Sequence, residues 1–362
     1  MMAWSLYRYF GGLFLRWTLG IYLGAVLLVF LIDCMELART ESDRAGSVLS
    51  LLVVSALRVP LITEQIIPFA VLIGSIAALV TLSRRSELVV SRAAGLSVWQ
   101  FIAPGLVVAA GIGVFGTLVY NPLTTTLKRE SDRYASAAFG RKSSVMTDVS
   151  SESWLRQRTD DGEAVLKVAG IADEGRTILQ PIFWIFNKKG VLSERVEAGI
   201  GELDGDRWRL SDVTVVDTSG TPKKLKTYDI PTKLGSDQVR GRLGSPDAAS
   251  FWRLPSIITK ATAVGLPPYR FLLQFHVLLS RPFLLMSMVL IAATVSLGMS
   301  RAGGTGRMIL GGVSAGFVLY VATEISRDLG SEGLVPPALA AWAPAVVAML
   351  FGCTILLFRE DG

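Results

Sequence analysis

The sequence predicts a polytopic α-helical membrane protein with six transmembrane helices and one inserted all-β domain. Two observations predict it. Six tracts carry no Asp, Glu, Lys or Arg: Trp17 to Ile32, Gln65 to Ser83, Leu96 to Leu127, Pro282 to Ser300, Met308 to Thr323 and Gly333 to Phe358. A helix needs roughly 20 mostly apolar residues to cross the hydrocarbon core, and the two shorter tracts reach that length if Arg16 and Glu324 lie at the interface or face a polar interior. The segment from about Arg141 to Arg253, between the third and fourth tracts, instead alternates short apolar and polar residues among Gly, Asp and Lys, the pattern of strands.

The first tract is read as a retained span, because further spans come after it and no small-residue cleavage site does. Gly20 and Gly24 within it have the small-xxx-small spacing that lets helices approach closely. The loop after the second tract runs Ser83-Arg-Arg-Ser-Glu-Leu-Val-Val-Ser-Arg-Ala-Ala-Gly-Leu-Ser97. Ser86 is placed to cap a short helix that starts at Glu87, and Gly95 to end it. Leu88, Val89 and Ala93 lie broadly on one side of that helix. A solvated linker explains its arginines, whereas a docking helix for a partner also explains the apolar side beside Glu87.

Orientation is read from the short loops. Arg8, Arg16, Arg84, Arg85, Arg92, Arg301, Arg307 and Arg359 fall on one side, against Arg39, Arg44, Arg58 and Arg327 on the other. The richer side is cytoplasmic, so both termini are expected there and the β-domain across the membrane. Within that domain Ile182, Trp184 and Phe186 share one strand face and lead into a turn at Asn187-Lys-Lys-Gly190. Further turns are expected at Asp204-Gly205-Asp206 and Thr218-Ser-Gly-Thr-Pro222, which together suggest a sandwich or jelly roll. A Pro-rich approach through Pro255, Pro267 and Pro268 leads back to the membrane. The fifth tract repeats the small-residue spacing at Gly312 and Gly316.

Several function classes are set aside. The formal net charge of +6 is spread over membrane flanks and the β-domain, so nucleic acid is not expected as a partner. Gly312-Val-Ser314-Ala-Gly316 matches a hydrolase motif, but Ser314 and the lone histidine, His276, are expected about 20 Å apart in depth, beyond hydrogen-bond reach. No G-x-x-x-x-G-K-[ST] motif and no His/Cys cluster at metal spacing occurs. No catalytic residue, metal or cofactor is therefore expected, and energy would come from a partner. Cys34 and Cys353 are expected on opposite sides of the membrane, too far apart for a disulfide.

The run RRSELVVSRAAGLS at 84–97 resembles the coupling-helix motif of the LptF/LptG family of lipopolysaccharide-export permeases, with SELVV and the A-x-G after it closer to the LptG branch. The resemblance continues through RWRLSDV at 207–213, GGVSAGFVLYV at 311–321 and the pair Pro336 and Pro337. It implies an inner-membrane permease of an ABC-type exporter, with a periplasmic β-jelly-roll domain and both termini cytoplasmic. The implied partners are an LptF heterodimer subunit, a dimer of the ATPase LptB, which binds the ATP, LptC, and lipopolysaccharide as cargo. The chain divides into three segments: residues 1–139 with spans one to three and a coupling helix at about 84–96, the β-domain at 140–253, and spans four to six at 254–362.

The same resemblance assigns ATPase coupling to Arg85, Glu87, Leu88, Arg92 and Gly95, and lateral-gate packing to Gly20, Gly24, Gly312 and Gly316. Lys128, Arg129 and Arg133 would meet anionic head groups, or else pair with Glu130 and Asp132. Ile182, Trp184, Phe186, Trp208 and Leu210 would line an acyl-chain path, or else form ordinary core. Two other readings stand beside this one: the LptF subunit itself, and a membrane assembly scaffold that moves no lipid.

Overall fold

The computed structural model describes residues 2–40, 48–93, 95, 97–138, 153–159, 162–168, 170–172, 176–187, 191–217, 222–232, 249–263, 268–299 and 305–360. Helix α1 is Met2–Thr40, and α2 (Val48–Thr63) passes through a 3-10 turn, Glu64–Ile66, into α3 (Ile67–Arg84). After the short α4 (Glu87–Ala93), α5 (Val98–Phe115) runs through a π-helical turn, Gly116–Tyr120, into α6 (Asn121–Ala138). Beyond the β-domain come α7 (Leu254–Ala263), α8 (Tyr269–Met299), α9 (Thr305–Ser331) and α10 (Pro337–Glu360).

The helices outrun the uncharged tracts. A helix of 39 residues such as α1 is about 58 Å long, well beyond the hydrocarbon core, so charges bound the apolar stretch without ending the helix. Helix α8 begins at Tyr269, with Pro282 inside it rather than at its start. Helix α7 stands where only a Pro-rich approach was expected. Among the described residues, five helical columns are long and apolar enough to span a membrane: Trp4–Thr40, Val48–Arg84, Val98–Ala135, Tyr269–Ser296 and Pro337–Phe358. The expected fifth span is the helix α9, which is not among them. The side chains of Arg307, Met308 and Ile309 lie outside the described residues, and the second half of the helix includes Glu324, Arg327 and Asp328.

One apolar core joins the columns, from Phe10 and Phe14 of α1 through Leu72, Ile76 and Leu79 of α3 and Phe101 and Ile102 of α5 to Leu285 and Val289 of α8. Close crossings set the geometry. A Cβ at Gly74 would lie 2.7 Å from the Thr18 Cα, and one at Gly113 2.5 Å from the Pro282 Cα, so α1 meets α3, and α5 meets α8, backbone to backbone. Helix α5 starts with a capping box, Ser97 Oγ accepting from the Gln100 N–H and Gln100 Oε1 from the Ser97 N–H.

Among the described residues the β-domain is one antiparallel sheet of nine strands: β1 (Ser153–Thr159), β2 (Gly162–Val168), β3 (Gly170–Ala172), β4 (Thr177–Leu179), β5 (Ile182–Asn187), β6 (Leu192–Glu197), β7 (Ile200–Asp204), β8 (Arg207–Asp217) and β9 (Pro222–Pro231). The order is β1-β2-β5-β6-β8-β7-β4-β3, with β9 also paired to β8. The expected hairpins are present at Asn187, whose Oδ1 accepts from the Val191 N–H, and at Gly205, with φ of 63°; residues 188–190 and 218–221 lie outside the described residues. Strand β8 changes face at Asp212, φ 56°: Trp208 and Leu210 point inward before it, Val213 and Val215 after it. That switch lets one strand serve β7 at one end and β6 at the other, folding the sheet over its own core.

Candidate functional site

Between α3 and α5 the chain makes the short helix expected around Glu87. The Ser86 carbonyl accepts its first helical bond, from the Val90 N–H, with φ of 59° at Ser86 rather than the extended backbone usual for an N-cap. Gly95, φ 83°, ends the turn in the left-handed region that favours glycine. Glu87 is half-buried. Its Oε1 accepts from the Tyr9 hydroxyl at 3.1 Å, and Arg85 stands 3.9 Å from it while donating weakly to the same tyrosine oxygen at 3.5 Å. Arg85 and Val90 face outward; the side chains of Leu88 and Arg92 lie outside the described residues. Tyr9 escaped the sequence reading because it lies 78 residues from its partner.

The basic residues of α6 are not loose charges. Lys128 Nζ pairs with Asp132 at 2.8 Å, and Arg133 with Glu130 at 2.8 Å, both one helical turn away. Arg129 also has a partner. The patch is thus largely neutralised along its own helix. An arriving anion would have to compete with carboxylates already in place.

The four glycines differ. A Cβ at Gly312 would run into Ile76, and one at Gly316 into Leu72, so that face of α9 packs on α3. Gly20 and Gly24 have open space beside them among the described residues, which leaves their face available to a second chain. The five aromatic and aliphatic residues of the β-domain divide as well. Trp208 and Leu210 are fully enclosed with Phe183, Leu166 and Val196. Ile182, Trp184 and Phe186 lie on the opposite face of β5 and are half-buried, Trp184 beneath the Arg195 guanidinium. Strand alternation separates the two sets, so the five do not line one path.

A further constellation went unread in the sequence. Glu64, on the 3-10 turn, is 6% exposed and pairs with Arg281 of α8 at 2.5 Å. Its two oxygens also accept from Asn121 Nδ2 at 3.1 Å and Thr124 Oγ1 at 3.0 Å. Beside it the Tyr22 and Tyr120 hydroxyls lie 2.6 Å apart, Tyr22 reaches Thr63, and Tyr120 donates to the Pro60 carbonyl. The available signal was that Glu64 and Arg281 are the first charges beyond the same end of two neighbouring spans, with opposite signs.

Known proteins are similar to this chain along most or all of its length. The lipopolysaccharide export system permease protein LptG of Haemophilus influenzae is 25% identical over 371 aligned positions, covering 99% of each chain. LptG of Escherichia coli K12 is 24% identical over 323, covering 84% of each. Residues 8–359 match the family described as lipopolysaccharide export system permease LptF/LptG, and the chain belongs to that family.

Proposed function

We propose that the chain is the LptG-side permease subunit of an ABC-type lipopolysaccharide exporter. It lies in the inner membrane with both termini cytoplasmic and its β-domain periplasmic. It pairs with an LptF subunit, and a dimer of the ATPase LptB docks beneath it and binds the ATP. LptC joins the assembly. The relatives in Haemophilus influenzae and Escherichia coli carry the LptG name, which favours this subunit over LptF.

The observation that carries the reading is α4: a separate short helix between two spans, closed at both ends by left-handed backbone and led by the half-buried carboxylate of Glu87. A rigid body of that kind passes a partner's motion to the helices joined to it. Nucleotide favours a closed ATPase dimer, and coupling through α4 passes that preference to the walls of the lipid cavity as a population shift. Tyr9 links Glu87 directly to α1, whose outer half exposes Leu23, Leu27, Leu28 and Leu31 and is free to face lipid or a second subunit.

In this scheme Lys128, Arg129 and Arg133 meet anionic head groups by exchanging their carboxylate partners for phosphate, and the β-domain is one section of the periplasmic bridge. Photocrosslinking from position 133 tests the first point: adducts with lipopolysaccharide support it, and their absence beside adducts at other cavity positions counts against it. The main test is Glu87→Lys in the purified complex. Loss of ATPase co-purification and of stimulated hydrolysis is expected; full retention of both would sink the coupling role.

A further inference from the structure

Three columns depart from regular α-helix at one level: the 3-10 turn Glu64–Ile66 between α2 and α3, the π-helical turn Gly116–Tyr120 between α5 and α6, and Pro282 in α8. Such departures in mid-helix mark hinges and functional positions. Here they surround the Glu64 and Arg281 pair. Proline leaves the carbonyl four residues before it without its helical donor, and that carbonyl, Leu278 O, accepts instead from Thr117 Oγ1 of the π-turn at 2.7 Å. The Pro60 carbonyl likewise accepts from Tyr120 of the same turn. Each loosened helix is bound sideways to a neighbour at the point where it is loosest.

The layer also receives the chain as it leaves the β-domain. Asn121 donates through Nδ2 to Glu64 and accepts through Oδ1 from the Phe251 N–H at 3.0 Å, so one amide reads both partners. Trp252 Nε1 donates to the Leu118 carbonyl, and Phe251 stacks on Phe275 of α8. A buried ion pair is weak support for stability as such, since apolar residues of the same volume often do as well. Apolar surfaces slide past one another, however, whereas this pair has one register.

We propose that Glu64 and Arg281 are positioning residues for export: they lock the outer layer of the bundle and the exit of the β-domain into one fixed frame, about which the helical segments nearer α4 move. Tyr22 is the hydroxyl through which α1 joins the frame, one turn beyond its close crossing with α3 at Thr18 and Gly74. The proposal rests on the reading of the chain as a transporter coupled through α4.

The test uses the full ATPase–permease complex carrying Glu64→Gln, Arg281→Gln, or the exchanged pair Glu64→Arg with Arg281→Glu. Amide hydrogen exchange at residues 249–254 is expected to speed up at least about tenfold in the single variants, with the α4 region unchanged. The exchanged pair restores part of the protection. Release of lipopolysaccharide from proteoliposomes should fall about tenfold while ATP hydrolysis stays within about twofold, because the ATPase still cycles against a frame that yields. Unchanged exchange, a rise spread evenly over all helices, or hydrolysis and release falling together would overturn the proposal. Should the single variants fail to accumulate, Trp252→Phe removes only the exposed donor to Leu118; faster exchange at 249–254 supports the frame and no change counts against it. A wild-type complex that released no lipid would sink the transporter reading, while the exchange data would still decide whether the frame exists.

Discussion

Two tyrosines show how much rests on a single hydroxyl. Tyr9 is 44% exposed, so Tyr9→Phe should leave folding intact while freeing the Glu87 carboxylate. Stimulated ATP hydrolysis is expected to change about two- to fivefold, equivalent to about 0.4–1 kcal/mol, the lower part of the net contribution of one intramolecular hydrogen bond; hydrolysis equal to wild type would mean that α1 is not linked to α4 through this contact. Tyr228, on β9, donates to Glu194 at 2.8 Å, and burial together with that carboxylate pushes its pKa up to about 12. A raised acid contributes stability that is complete below pH 10 and is lost as pH rises through the folded value. The β-domain should therefore weaken between about pH 10 and 12, and Tyr228→Phe should flatten that loss in alkaline melting curves. Glu87 and Gly95 were legible because helix ends have local signatures. Tyr9 and Glu64 were not, since their partners lie 78 and 217 residues away.

Among the elements, close crossings carry the sharpest expectation. Gly113→Val would drive a Cβ into the backbone of α8 at Pro282. The crossing would have to open, at about 1–3 kcal/mol, and a lowered unfolding temperature of the detergent-solubilised protein checks it. Gly20→Val meets nothing among the described residues, so a loss there would appear only in the assembled complex. Five of the six expected spans were legible because absence of charge is a direct requirement of the bilayer. Their ends were not, since a helix continues past the interface for as long as its own hydrogen bonds and packing allow. Proline misled for the same reason: Pro282 reads as a boundary, yet Thr117 takes up the carbonyl it leaves free. In the β-domain, alternation identified faces within a strand, but only pairing decides which face is inside. Trp208 and Ile182 thus came to opposite sides.

For the whole molecule, the proposed orientation places β9 and α4 on opposite sides of the membrane. In a Cys34→Ser, Cys353→Ser background, Lys223→Cys should react with a membrane-impermeant thiol reagent on intact cells, and Arg85→Cys only after lysis; the reverse pattern would invert the topology. The deep pair also has a consequence for synthesis. Arg281 is made 217 residues after Glu64, roughly ten to forty seconds later at ordinary rates of translation. Throughout that interval the nascent second span carries an uncompensated carboxylate, held by Asn121 and Thr124 at best, while in the proposed orientation the β-domain is exported. A chain truncated before α8 would keep that vacancy permanently, and a membrane protease that surveys unassembled helices would find in it a ready mark for disposal.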